Sequence, residues 1–154
     1  MNFDVMALAN ILRDAARAEA LPRFRRLDSS MVQIKTEAID LVTEADVATE
    51  EVIKARTAEW LPEALFVGEE SVAADPALLG SLATADLAFV VDPIDGTANY
   101  AAGLPLFATM AAVVSKGETI AGIIYDPMGD DWFMAEKGAG ALLVRPDGGS
   151  ERLR

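Results

Sequence analysis

Between Phe107 and Val144 the chain offers strand after strand with no room for a helix between them. Phe107 to Ser115 and Thr119 to Tyr125 are apolar, strand-like runs divided by the turn Lys116-Gly117-Glu118. Asp126-Pro127-Met128-Gly129 closes the second run. Asp131 to Glu136 and Ala141 to Val144 follow, separated by Lys137-Gly138-Ala139-Gly140. Short Gly- and Pro-bearing connections of this kind mark hairpins, whereas a parallel connection needs a dozen or more residues. The spacing therefore predicts an antiparallel sheet. Ahead of it, Asp4 to Ala20 reads as an amphipathic helix: Val5, Leu8, Leu12 and Ala15 recur at helical spacing, with Arg13, Asp14 and Arg17 on the other side and Pro22 as the stop. Thr43 with Asp46 three residues later makes a capping box, and Thr43 to about Trp60 reads as a second helix. Its face of Ala45, Ala48, Val52 and Ala55 suits close packing on a sheet or another helix. The expected fold is α+β, with two N-terminal helices packed on a mainly antiparallel β-sheet in a single domain over residues 1–154.

Composition narrows the chemistry. The 154 residues contain no cysteine, so disulfides and thiolate catalysis are excluded, and a cytoplasmic location is the expectation. Histidine is absent as well, which removes imidazole bases, His-ligated zinc and Ser-His triads. Carboxylates, hydroxyls and lysines remain. A formal net charge of −12 disfavours nucleic acid as a partner, and a phosphorylated one too unless cations offset the field. No uncharged apolar run is long enough to span a membrane. Asp4, Asn10 and Arg13 interrupt the apolar N-terminus and argue against a signal peptide.

The stretch from Leu87 to Tyr100 concentrates what chemistry is left. Leu87 to Val91 is a buried-strand pattern, and it turns polar abruptly at Asp92, with Asp95 three positions on. Pro93 keeps Asp92 extended at the strand end. Gly96 allows a close backbone approach, and Thr97, Ala98 and Asn99 can open a short helix whose first N–H groups are free to bind an anion. Two further acidic stations lie at element ends. Thr43/Asp46 begins the second helix, where Asp46 also suits the helix dipole. Glu69/Glu70 follows the short strand Leu65-Phe66-Val67, and adjacent glutamates of this kind ordinarily form a solvated turn. Ala73 to Ala85, with Pro76 and Gly80, reads as a connection with some helix.

Gathering these stations at one sheet end is costly. Two carboxylates 4 Å apart repel by about 4 kcal/mol at an effective dielectric near 20, and a domain's whole stability is roughly 5–15 kcal/mol. Either the stations are scattered or a divalent ion holds them together, and oxygen ligands select Mg²⁺, Mn²⁺ or Ca²⁺ over zinc or copper. Two other charged groups read as ordinary surface. Arg23, Arg25 and Arg26 form a solvated basic loop. Asp126, Asp130 and Asp131, interleaved with Pro and Gly, are turn chemistry.

Lys35 followed by Asp40-Leu-Val-Thr-Glu-Ala-Asp46, then Gly68-Glu-Glu-Ser71, then Asp92-Pro-Ile-Asp-Gly-Thr97 with Asn99-Tyr100, resembles the inositol monophosphatase family of lithium-sensitive, Mg²⁺-dependent phosphatases. The resemblance implies a hydrolase acting on a small phosphorylated polyol or sugar through a metal-activated water. Inositol monophosphate is the leading substrate, with fructose-1,6-bisphosphate, histidinol phosphate and a nucleotide 3′-phosphate as family alternatives. It implies Glu69, Asp92 and Asp95 as metal ligands together with the Ile94 carbonyl, two or three Mg²⁺ ions with Mn²⁺ as a substitute, and Li⁺ as an inhibitor. Glu69 and Thr97 would accept and relay the proton of the attacking water, and Asp46 would orient the Thr97 hydroxyl. The Gly96 and Thr97 N–H groups would hold the phosphate, and Glu70 would act from outside the ligand set. The family carries a further motif, Trp-Asp-x-Ala-Ala, in a second, C-terminal domain; neither Trp60 nor Trp132 matches it, so the chain corresponds to the first domain. An exposed apolar sheet surface, and homodimerisation or other association through it, is expected, with weak or no turnover by this chain alone. A metal- or phosphate-binding module without turnover is the rival reading.

Overall fold

The structure, a computed structural model, describes residues 3–26, 32–34 and 41–153, and for 32–34, 41 and 42 the backbone alone. Lys35 and Asp40 lie outside the described residues. Helix α1 (Val5–Ala15) is capped by Asp4, whose carboxylate accepts the Met6 N–H at 2.9 Å. It runs on through a π-helical turn (Ala16–Ala20) into the single turn α2 (Leu21–Arg23). Pro22 therefore does not end the helix. The Leu21 N–H bonds back to the Ala16 carbonyl, and this wider turn opens the coil just where a proline ring would press on the preceding turn. Strand β1 (Val32–Ile34) pairs antiparallel with β2 (Leu41–Thr43), which leads directly into α3 (Glu44–Trp60).

Seven strands form the main sheet in the order β3 to β9: β3 (Leu65–Gly68), β4 (Ala88–Asp95), β5 (Ala108–Ser115), β6 (Glu118–Asp126), β7 (Asp131–Glu136), β8 (Gly140–Val144) and β9 (Ser150–Arg152). From β4 onward every pair is antiparallel, and for β5 to β8 the hairpin spacing predicts this. The β3–β4 pair is parallel. Here the connection is long enough for a crossover, holding α4 (Glu69–Ala74) and a 3₁₀ segment (Pro76–Ala83). The glutamate pair expected in a solvated turn thus opens a helix instead.

Helices α1 and α3 cover one sheet face. Leu8, Leu12 and Ile53 meet Phe89, Val113, Ile123 and Tyr125 in the core. Two long-range hydrogen bonds lock this layer: Trp132 Nε1 donates to the Ala9 carbonyl (3.1 Å) and the Tyr100 hydroxyl to the Ala20 carbonyl (2.6 Å). The other face is partly bare. Val72 and Leu79 from the crossover flank it, and beyond them Ile124 and Phe133, cross-strand neighbours, are 43% and 42% exposed. An apolar concavity of about 610 Å³ lies along this face, bounded at one end by Glu69 and Asp92. Among the described residues no helix is long and apolar enough to cross a membrane.

Candidate active site

Strand β4 delivers the first acidic station. Pro93 has no N–H for the ladder, and the pairing with β5 shifts between Asp92 and Asp95, a bulge at a proline. The displaced backbone is held from the side, the Thr109 hydroxyl donating to the Pro93 carbonyl at 2.9 Å. Gly96 then takes φ +89°, and a Cβ there would lie 2.9 Å from the Leu106 carbonyl oxygen. Only glycine suits both demands. The chain reverses into the short helix α5 (Thr97–Ala101), so Thr97 faces back toward Ile94. Asn99 ties the loop by donating to the Leu106 carbonyl at 2.9 Å.

Helix α3 brings the second station. The capping box is present in full: the Thr43 hydroxyl accepts from the Ala45 and Asp46 N–H groups, and the Thr43 N–H donates to Asp46 Oδ2 at 2.8 Å. The Thr43 hydroxyl also meets Asp46 Oδ2 at 2.6 Å. That leaves Asp46 Oδ1 for the Thr97 hydroxyl, 3.2 Å away, while the Ile94 carbonyl sits 2.9 Å from the same hydroxyl. One hydroxyl proton has two acceptors, so Thr97 is poised between a carboxylate and a backbone carbonyl. Burial raises the Asp46 pKa above its ordinary value against the lowering by these hydrogen bonds, with the Glu69 charge adding to the rise.

Glu69 opens α4 and meets Asp92. Burial, foremost, then the charges of Glu69 and Asp95, a hydrogen bond with Glu69 and the charge of Asp46 push the Asp92 carboxyl up to about 7. Its Oδ1 is buried with no hydrogen-bond partner. A buried carboxylate oxygen left unsatisfied and crowded by like charges fits the chemistry of a cation ligand. The donors are all oxygen, which suits Mg²⁺. The gathering is incomplete: Asp95 stands exposed at the strand end, and among the described residues no three acidic side chains close on one point. The structure thus joins Asp46, Thr97 and the Ile94 carbonyl in one cluster and Glu69 with Asp92 in another, with Gly96 and the half-buried Glu70 beside them.

The other charged groups behave as surface. Arg23 pairs with Glu19, and Arg25 donates to the Gly103 carbonyl at 3.0 Å. Asp126 accepts the Met128 N–H, and Asp130 receives Arg17 and the Tyr125 hydroxyl, so this acidic group is turn chemistry.

One buried carboxylate escapes a reading based on sequence. Glu50, 4% exposed, lies one turn beyond Asp46 on α3 and accepts from the Glu70 N–H (2.7 Å), the Ser71 N–H (2.8 Å) and the Ser71 hydroxyl (2.6 Å). Its i+4 spacing from Asp46 was the available signal, but in the sequence it is one glutamate of an adjacent pair in the middle of a charged helix.

Fold and site together define an α+β domain with an acidic, oxygen-only site where a helix-covered sheet ends. The sequence pattern of the inositol monophosphatase family matches residues 4–152, and the chain belongs to that family. It is 36% identical over 120 residues to the Nus factor SuhB of Pasteurella multocida (78% of this chain, 42% of the relative). It is 35% identical over 138 residues to the histidinol-phosphatase of Streptomyces coelicolor (86% and 48%). Among solved structures, the IMPase of Thermotoga maritima superposes with a TM-score of 0.76 at 30% identity, covering 94% of this chain and 50% of that one. The chain spans about half the length of these relatives.

Proposed function

We propose that this chain carries the cation- and phosphate-binding half of a Mg²⁺-dependent phosphomonoesterase site. The observation that carries the reading is the buried, unpartnered Asp92 Oδ1 beside Glu69, one short turn from the Asp46–Thr97 pair. Glu69, Asp92, Asp95 and the Ile94 carbonyl would hold the ions, with Glu70 supporting from outside. Bound Mg²⁺ supplies activation of a water and neutralisation of phosphoryl charge, as phosphate monoesters, among the slowest of uncatalysed hydrolyses, require. In that step the water oxygen bonds to phosphorus, the ester P–O bond breaks, and the leaving alkoxide takes up a proton. Thr97, oriented by Asp46, and Glu69 accept and pass on the proton that the water gives up. The Gly96 and Thr97 N–H groups hold the phosphoryl oxygens.

Inositol monophosphate leads as substrate, on Asn99-Tyr100 after the threonine. Histidinol phosphate is the main alternative, since a relative carries that name. Fructose-1,6-bisphosphate and nucleotide 3′-phosphates follow. A binding module without turnover is a second reading, favoured by the unclosed position of Asp95. Calorimetric titration with Mg²⁺, followed by phosphate release from inositol 1-phosphate and from histidinol phosphate, tests the proposal. Saturable Mg²⁺ binding that Asp92→Asn removes is expected, with weak turnover; equal heats for both proteins would refute it.

A further inference from the structure

Helix α3 is buried along Asp46, Glu50, Ile53 and Thr57. Two carboxylates of this face, one turn apart, point to different parts of the site: Asp46 to Thr97 and Glu50 to the start of α4. The approach of Glu50 is built in from both sides. Gly68, the residue before α4, has no side chain, and a Cβ built there would overlap the Glu50 carboxyl group. The N-cap of α4 supplies no side-chain cap of its own. Glu50 does this work from 20 residues away, taking up two of the first free N–H groups of the helix and the Ser71 hydroxyl. A buried carboxylate is tolerated when hydrogen bonds satisfy it, and three donors converge here.

We propose that Glu50 is a positioning residue that sets the ion affinity of the site by fixing the first turn of α4, and hence the direction in which Glu69 is presented to Asp92. The proposal rests on the reading of Glu69 as an ion ligand. It makes α3 a common reference for the two clusters, since the same helix face holds Thr97 through Asp46 and Glu69 through Glu50. Replacing Glu50 by glutamine keeps the shape but turns an N–H₂ toward the Glu70 and Ser71 donors, so one of them loses its acceptor. Partners that orient a metal ligand from behind typically cost 10–100-fold in affinity when removed.

The test uses the full chain with Mn²⁺ as probe, free ion being counted by electron paramagnetic resonance. Amide hydrogen exchange at Glu70 and Ser71 and the melting temperature are measured alongside. Glu50→Gln and Gly68→Ala are expected to weaken Mn²⁺ binding by about 10–100-fold and to speed exchange at those two amides. Ser71→Ala, which removes a single hydroxyl and keeps the chain foldable, is expected to weaken it by about fivefold, the worth of one ordinary hydrogen bond. Glu51→Gln, on the exposed side of α3, should change neither reading. A Glu50→Gln or Ser71→Ala protein that melts lower yet binds Mn²⁺ like the parent would overturn the proposal and leave Glu50 a purely structural cap. A parent chain that binds no Mn²⁺ at all would overturn the reading of the site, and this proposal with it.

Discussion

Asp92 is held where its charge is least welcome. Burial and the neighbouring Glu69 and Asp95 carboxylates raise it from an ordinary 3.8 to about 7. In the ion-free protein the folded state therefore binds this proton more tightly than the unfolded chain does. Between the two values folding takes up a proton, so the contribution of Asp92 to stability is fully present below pH 4 and is lost as pH rises through about 7. Asp46, raised by burial, acts in the same direction. Ion-free protein should therefore melt at lower temperature at pH 8 than at pH 5, and Mg²⁺ should recover most of the difference by replacing the proton with a cation. Asp92→Asn should raise the ion-free melting temperature at pH 8 by about 2–4 °C, equivalent to roughly 1 kcal/mol in a chain of this size, while abolishing the response to Mg²⁺. Thermal melts at the two pH values, with and without Mg²⁺, check both signs; a variant that melts lower than the parent without metal would contradict the account.

At the scale of elements, the Thr97 hydroxyl links α5 to α3. The Thr97 proton is offered to Asp46 Oδ1 and to the Ile94 carbonyl, and Asp46 is itself anchored by the capping box at the start of α3. Asp46 and Thr97 should therefore behave as one unit. Thr97→Ala and Asp46→Asn are each expected to lower turnover by about 10²–10⁴-fold, the range of general acid–base assistance, and the double variant by little more than either. Asp95→Asn should cost more than either on the proposed reading of Asp95 as an ion ligand, since an amide offers a neutral oxygen only. Single-turnover phosphate release, measured in a protein that turns over, decides this; losses that multiply would show that Asp46 does not act through Thr97.

For the whole molecule, the unequal covering of the two sheet faces is the main fact. Helices bury one face, while Ile124 and Phe133 stand open on the other, where a concavity runs up to Glu69 and Asp92. Contiguous exposed apolar residues on an uncovered sheet face are where a partner surface would pack. Association through this face is expected, with sedimentation coefficients that rise with concentration and a Phe133→Glu variant that sediments as a monomer at every loading. A parent chain that stays monomeric at high concentration would show that the face is tolerated in water.

What the sequence determined by itself is whatever short-range physics decides. Thr43 and Asp46 form their capping box because both partners lie within one helical turn. The hairpins from Ala108 to Val144 follow from turn residues too close together for crossovers. The Asp92-Pro93-Ile94-Asp95-Gly96-Thr97 stretch carries its bulge, its positive φ and its chain reversal in its own residues. Tertiary structure decided the rest. The helix runs past Pro22 because a π turn forms ahead of it, within a segment that also anchors Tyr100. The Glu69-Glu70 pair begins a helix because a carboxylate on α3 caps it, and no local pattern near residue 69 announces that partner. Asp92 and Glu69 are ordinary acids in the sequence. Their strain exists only once β3 and β4 pair in parallel and bring both to the same sheet end, because burial and charge repulsion depend on distances that the folded chain sets.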